Sequence, residues 1–542
     1  MRRLIALSVT VVALAAFGFA APAFAQSSAD QSAGNAGGSQ ASNSSSTSQN
    51  GGQSQSSPGY QTVTQDSDTV QNADSEANAD QNAVNANVVV TVGGDDVYSG
   101  SSSATQNLSN SANSSASNEA ETEQNASQSG GGAQSIEQDS DTEQSAESEA
   151  NAHQNGVNAN VVVAIGGGDV HVGDSSAEQN MSNSARSKAE NEAETTQNAE
   201  QSGEGGSQSI EQDSDTEQDA DSEANAYQKG VNANVPIAIG GGDVYMGDSS
   251  AEQDLENSAK SEAENEAETE QNAGQSGGGH QSIEQDSDTD QDAESEANAY
   301  QEGVNANVPV AIGGGDVYSG DSSAEQDLDN SAKSEAENEA ETEQNAGQEG
   351  GEAQSIEQDS DTEQDADSEA NAYQMGVNAN VPVAIGGGYV GGGDSSAEQD
   401  LENEAKSEAE NEADTEQNAG QADGALQSIE QDSETEQDAD SEADADQDAT
   451  NASGYGGDAE QDADNKAKSE AENEADTDQN AEQGGVGAQT IEQDSETEQD
   501  ADSEADADQD AVNEAKGGDA DQDLDNKAKS EAENEADTEQ NA

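Results

Sequence analysis

Small and polar residues alternate along most of this chain with a period of two. From Ile210 to Gln228 the even positions read Ile, Gln, Ser, Thr, Gln, Ala, Ser, Ala, Ala, Gln, and the odd positions read Glu, Asp, Asp, Glu, Asp, Asp, Glu, Asn, Tyr. Ala251 to Gln275 does the same with the parity reversed, its even positions dominated by Glu. Period two predicts extended chain with two unlike faces, one of small residues and amides, the other of carboxylates. Ala, Glu and Gln are also good helix formers. A helix would scatter the Ala around its circumference and leave no apolar stripe. It would also set Glu262, Glu264, Glu266, Glu268 and Glu270 in like-charged i, i+4 pairs. Strand is therefore the expectation.

Between the two alternating segments lies the one apolar run of the repeat. After Asn234 it reads VPIAIGGGDV, with counterparts after Asn87, Asn160, Asn307 and Asn380. β-Branched residues followed by glycines predict a short strand and a turn. Pro236, Pro309 and Pro382 each remove a ladder donor, which predicts an edge or a bend there.

These three parts recur. The marker Gln-Asp-Ser-(Asp/Glu)-Thr begins at Gln65, Gln138, Gln212, Gln285, Gln358, Gln431 and Gln493, with spacings of 73, 74, 73, 73, 73 and 62. A fixed period of this kind means a seven-repeat array, spanning 61–542, rather than independent domains. The sixth and seventh repeats lack the apolar run. Segments of about 20 alternating residues exceed the single strands of a compact sheet. The expected fold is an all-β repeat: a β-solenoid of strands broken by bends and wound into stacked coils. Its interior would be small and amide-rich, with Gln and Asn ladders between coils ~4.8 Å apart, and its exterior acidic. The alternative from composition is a largely disordered polyanion.

The most constant stretch is Ser, five residues, Gln, one residue, Gly or Ala, one residue, Asn. It occurs at Ser75-Gln81-Ala83-Asn85, Ser148-Gln154-Gly156-Asn158, Ser222-Gln228-Gly230-Asn232, Ser295-Gln301-Gly303-Asn305, Ser368-Gln374-Gly376-Asn378, Ser441-Gln447-Ala449-Asn451 and Ser503-Gln509-Ala511-Asn513. This stretch resembles the first half of the curlin repeat, the strand-loop-strand unit of curli amyloid. The match covers about 11 residues in each repeat. Its Asn sits one residue early, and Asn234-Val235-Pro236 stands where the second curlin strand would continue. The resemblance implies an extracellular amyloid fibre subunit at a cell surface.

Charge narrows the partners. The 542 residues carry 120 acidic and 13 basic side chains, a net charge of -107. This argues against nucleic acid and anionic membrane as partners, because a phosphate binder needs a basic face. Cations, cationic partners and self-association remain, with Ca²⁺ or other divalent ions held non-specifically. Stacked coils would align like charges ~4.8 Å apart, each pair repelling by ~1 kcal/mol even in water. Order is therefore expected to rise with salt, divalent cations or acid. Lys260, Lys333 and Lys406 are 73 apart and would fall in register beside the Glu columns.

No catalytic or cofactor-binding motif stands out, and the expectation is a non-enzyme. Cysteine is absent, so disulfides and thiol chemistry are excluded. His153, His171 and His280 occupy unmatched places and read as tolerated variation. Asp213, Asp215 and Glu217 imitate the start of an EF-hand loop but lack its glycine, so no specific metal site is assigned. Glycine tracts such as Gly240 to Gly242 read as turns.

Met1 to Ala25 has a basic start at Arg2 and Arg3, an apolar stretch from Leu4 to Ala20 and an Ala23-Phe24-Ala25 cleavage site, the pattern of a secretory signal peptide. Residues 26–60, rich in Ser, Gln and Gly, read as a low-complexity disordered leader. The sequence thus points to a secreted structural protein of the cell surface or extracellular matrix, serving in biofilm or adhesion, with a disordered cation-binding acidic polymer as the alternative.

Overall fold

The computed structural model describes residues 27–203, 206–455, 457–516 and 518–542. The signal-peptide expectation and its cleavage site lie outside these residues. The described chain is a β-solenoid in which each repeat forms one coil.

Each coil has two long arms. In the third coil the first arm runs through Ser207–Gly240, and the return arm through Ser249–Gly277. Every arm pairs in parallel with the same arm of the next repeat, in register. Ser249 lies beside Ser322, Ser222 beside Ser295, and so on along the chain. Identical sequences stacked in register bring identical side chains together, which suits amides and small residues and penalises charges. The first arms thus make one sheet and the return arms a second, and the inner faces of the two sheets meet.

Facing partners are staggered by half a coil. Asn158 donates to Ala104 O and Glu178 O, which belong to two successive return arms. Asn183 likewise donates to Ala152 O and Tyr227 O on two successive first arms. In the interior coils inner residues are buried and outer residues are not, in close alternation, while the inner residues of the end arms 27–53 and 520–541 stay half-buried or exposed. The core is built from columns: Ala77, Ala150, Ala224, Ala297, Ala370 and Ala443 in one, and Ile136, Ile210, Ile283, Ile356 and Ile429 in another. A ~10 Å sheet separation and ~4.8 Å between coils make a flat slab, seven coils deep and ~90 Å wide.

The arms meet at a tip in coils one to five. There Val97–Ser99, Val170–Val172, Val244–Met246, Val317–Tyr318 and Val390–Gly391 form a small parallel sheet over the Val and Ala columns. Two columns of aspartate hold the tip loops together. Asp169 Oδ1 accepts the amide of Asp243 at 2.8 Å, and Asp243 Oδ1 accepts that of Asp316 at 2.7 Å. Asp248 Oδ1 accepts the amide of Asp321 at 3.0 Å. The sixth coil, without the apolar run, turns directly from Tyr455 into Asp458–Lys516. The fifth tip is left as a ledge with Ile385 and Tyr389 exposed.

Three expectations need correction. The arms are not broken by bends: His280–Asn307 is one strand of 28 residues. Each arm pairs only with its own copies, so nothing limits its length to that of a compact sheet. Proline does not mark an edge. Pro236 lies inside a strand and aligns with Val162 in the neighbouring coil, whereas the strands break at Pro309 and Pro382. The amide that proline lacks interrupts one bond of a ladder that continues on both sides. The residues expected to form a disordered leader are ordered. Ser27–Gly38 pairs with Ser102–Asn113, and Ala41 to Gln55 pairs with Ala116 to Gly130. They are a return arm almost without charge, whose period-two pattern (Ala29, Gln31, Ala33, Asn35) is masked by the Ser and Gly around it.

Candidate functional site

The recurring Ser-Gln-Gly-Asn residues all point inward from the first arms, and most have a defined partner on the return arm. The serines form a zipper across the core. Ser261 donates to Ser222 O at 2.6 Å and lies 2.7 Å from its Oγ. Ser114, Ser187, Ser334 and Ser407 do the same to Ser75, Ser148, Ser295 and Ser368. In the last two coils Ser469 donates to Ser441, and Ser530 to Ser503. The return-arm serines were not singled out by the sequence reading. They lie 39 residues from their partners, or 28 and 27 in the short repeats, and only the fold in half reveals the pairing.

The glutamines run as an uninterrupted ladder. Gln154 Nε2 donates to Gln81 Oε1, Gln228 to Gln154, Gln301 to Gln228, Gln374 to Gln301, Gln447 to Gln374 and Gln509 to Gln447, at 2.5 to 3.0 Å. From Gln154 onward each also reaches the facing sheet, as Gln301 does to Leu255 O and Asp329 O. Asn85, Asn158, Asn232, Asn305, Asn378 and Asn451 form a second ladder at 3.0 to 3.3 Å. Asn513 donates to Ala459 O and Asp521 O in the last coil.

The glycine has a steric cause. A Cβ on Gly230 or Gly303 would stand 2.8 Å from the Leu255 or Leu328 side chain and 2.9 Å from the Gln253 or Gln326 amide. Gly376 meets Gln399 and Leu401 in the same way, and Gly156 meets Met181. In the sixth coil the exchange is reciprocal, with Ala449 for the glycine and Ala463 in the Leu column, whereas the first coil, at the end of the stack, packs Ala83 in one cluster with Leu108. Gly303→Ala is therefore expected to cost about 1–3 kcal/mol through overpacking. Adding Leu328→Ala should recover part of that loss, a coupling that a double-mutant cycle of thermal melts would measure.

The outer surface carries carboxylates in columns along the stack and every second residue along each arm. Asp66, Asp139, Asp213, Asp286, Asp359, Asp432 and Asp494 form one such column. Partial burial, then the neighbouring Asp288, Asp213 and Asp359, push the Asp286 carboxyl up to about 7. The same causes, burial first, raise Asp213, Asp221, Asp359 and Asp365 to about 6. The EF-hand-like acids Asp213, Asp215 and Glu217 all lie on this face, with Ser214 and Thr216 between them turned into the core.

The lysines stand in register beside glutamates. Lys260, Lys333 and Lys406 align from coil to coil. Lys333 contacts Glu335 of its own coil and lies 4.0 Å from Glu408 of the next. Burial and the flanking Lys406 and Lys260 push the Lys333 ammonium below its usual range. Lys333→Met is expected to cost about 0.5–1 kcal/mol at low salt and less at about 1 M NaCl, since it removes the lysine that bridges Glu335 and Glu408 and leaves them to Lys260 and Lys406. Chemical denaturation at two salt concentrations checks this.

Two of the three histidines extend aromatic columns. The His171 ring stacks between Tyr98 and Tyr245 at 4.7 and 4.6 Å, nearly parallel to both, and His153 lies over Tyr227 at 5.9 Å.

No family model, curated protein or solved structure matches the chain. Among the described residues no helix is long and apolar enough to cross a membrane.

Proposed function

We propose that this protein is a secreted structural component of the cell surface or extracellular matrix, an acidic curli-like β-stack that serves in adhesion or biofilm architecture. The observation that carries the reading is the set of in-register amide ladders, which pass through every coil and end on open edges. The Gln81-to-Gln509 ladder finishes in the first arm 489–516, which among the described residues pairs on one side alone, as does the return arm Ala520–Asn541. Such a stack gains its stability from backbone pairing and side-chain ladders, the physics of cross-β material. The Ser-Gln-Gly-Asn stretch adds the partial resemblance to curlin. Purified chain from Gln26 onward is expected to give a β-sheet circular dichroism spectrum and, in concentrated or dried samples, a ~4.8 Å meridional reflection. A coil spectrum in molar salt would remove this reading.

The outer carboxylate lattice favours a second reading, an extracellular polymer that holds Ca²⁺ or other divalent cations without a specific site. Equilibrium dialysis would show many weak, equivalent sites if this is so, and saturation at a few tight ones would oppose it.

A further inference from the structure

The two sheets do not end alike. Among the described residues there are seven first arms, from 61–92 to 489–516, but eight return arms, from 27–55 to 520–541. The return arm 27–55 has no first arm of its own. With the half-coil stagger, a return arm is outermost at both ends of the slab. Two copies stacked head to tail would set two return arms together and leave the first-arm sheet one strand short. That joint cannot hydrogen-bond both sheets.

A two-fold axis parallel to the arms solves the mismatch. It lays the return arm 27–55 of each copy against the first arm 61–92 of the other, antiparallel, and the half-coil overhang of one fills the step of its partner. Both sheets continue, with their inner faces still facing each other.

The register of that joint follows from contacts within the chain. Asn85 donates to Ala29 O, and a Cβ on Gly51 would meet Val63, so residue j of the arm 27–55 faces residue 114 − j of the first arm. The axis preserves position along the arm. Residue j therefore lies beside residue 114 − j of the second copy. Inner residues meet inner residues, and Gln49 falls beside Gln65 and Gln53 beside Gln61, which prolongs two amide ladders across the joint. On the outer face Asp66, Asp68, Asp74, Glu76 and Asp80 fall beside Ser48, Ser46, Gln40, Gly38 and Gly34. No acid meets an acid.

The opposite end has the same shape but a different charge. There Ser530 faces Ser503, so residue j of the last return arm would lie beside residue 1033 − j. Asp523, Asp525, Glu531, Glu533, Glu535, Asp537 and Glu539 would each meet an acid: Asp510, Asp508, Asp502, Asp500, Glu498, Glu496 and Asp494. Symmetry doubles these seven pairs, and like charges directly opposite across strands are destabilising.

We propose that the N-terminal edge formed by residues 27–55 and 61–92 is a self-docking surface, on which a second copy of this chain seats head to head to give a closed two-fold dimer. Unpaired strand edges of this length invite pairing, and an isologous joint uses both of them at once and stops. The acidic far ends then keep dimers apart. The proposal deepens the structural-component reading and rests on the coil stack that reading uses, not on its location or role.

The experiment uses the chain from Gln26 to Ala542 in about 0.3 M NaCl, which screens charge without abolishing it. Light scattering after gel filtration is expected to give twice the monomer mass. The chain has no cysteine, so reporter pairs can be placed freely. Ser44→Cys with Val70→Cys puts the thiols on opposite outer faces of one copy but side by side in the dimer, and oxidation should give a covalent dimer. Val512→Cys with Asp521→Cys, the matching pair at the far end, should not. A monomeric mass, or covalent dimers from the far-end pair alone, would overturn the proposal. A monomer with a β-sheet spectrum would leave the structural-component reading standing.

Discussion

Acidification from about pH 8 to about pH 4.5 raises the melting temperature of this protein, opposite to the acid denaturation usual for folded proteins. The sign follows from the outer columns. Asp286 is pushed up to about 7, and Asp213, Asp221, Asp359 and Asp365 to about 6, from an ordinary 3.8. A carboxyl whose folded pKa lies above its unfolded value binds its proton more tightly in the folded state. Its penalty is full above the folded pKa and is lifted as pH falls through about 7 and 6 towards 4. These groups are open to solvent on one side, so screening takes a share of each shift. Summed over the columns, a rise of about 5 °C or more is expected. Molar NaCl or millimolar Ca²⁺ at about pH 8 should reproduce much of it, since both weaken the same repulsion. The measurement is a set of circular-dichroism melts across pH and salt. A melting point that falls on acidification over this range, or that ignores salt, would show that the columns do not limit stability.

Gln301→Glu should be the most damaging single conservative change in the chain. The Gln301 amide donates to Gln228 Oε1, Leu255 O and Asp329 O at 2.8 to 3.0 Å, and the residue is fully buried. A carboxylate of the same shape turns that donor into a fourth acceptor, facing two carbonyls and an amide oxygen. An unpaired charge in such a site costs at least ~3 kcal/mol. Because coils contact only their neighbours, the loss should open the stack locally at coil four before the ends melt. The outward comparison is Asn298→Asp, three residues away on the outer face, which loses bonds to Asn225 and Glu296 but leaves its carboxylate open to solvent, so its effect on the melt should be clearly the smaller of the two. Acid should rescue Gln301→Glu, because burial would hold the introduced carboxyl in its protonated form well above the ordinary carboxylate range. Hydrogen exchange read peptide by peptide would locate the opening, and protection equal to that of the parent throughout coil four would count against the ladder's role.

The same residues show how far the sequence could be read. Alternation of Ala, Ser, Gln and Asn with Asp and Glu decides strand and assigns each side chain to a face, because a strand reverses its side chain at every residue. The 73-residue repeat decides that like stacks on like, so the Gln ladders, the carboxylate columns and the Lys260-Lys333-Lys406 register were all legible. Where each arm folds back was not. Nothing in a uniform alternation says that Ser222 meets Ser261 rather than another serine, since both sit in equally permissive surroundings. In coils one to five the apolar run and the two aspartate columns mark the reversal at the tip, while the last two coils take their pairing from the coils they stack on, and the fold-back gives Gly230 its neighbour Leu255.

Composition also misled at residues 27–55. Serine and glycine look disordered when judged by their own propensities, yet a preformed parallel edge, 102–130, gives such a segment a complete ladder along one side. The sequence alone therefore determined the two faces, the stacking register and the charge of the surface. Only the tertiary structure decided the pairing of arms across the core and the unequal ends of the two sheets, because both depend on contacts between residues far apart in the chain whose side chains are individually interchangeable.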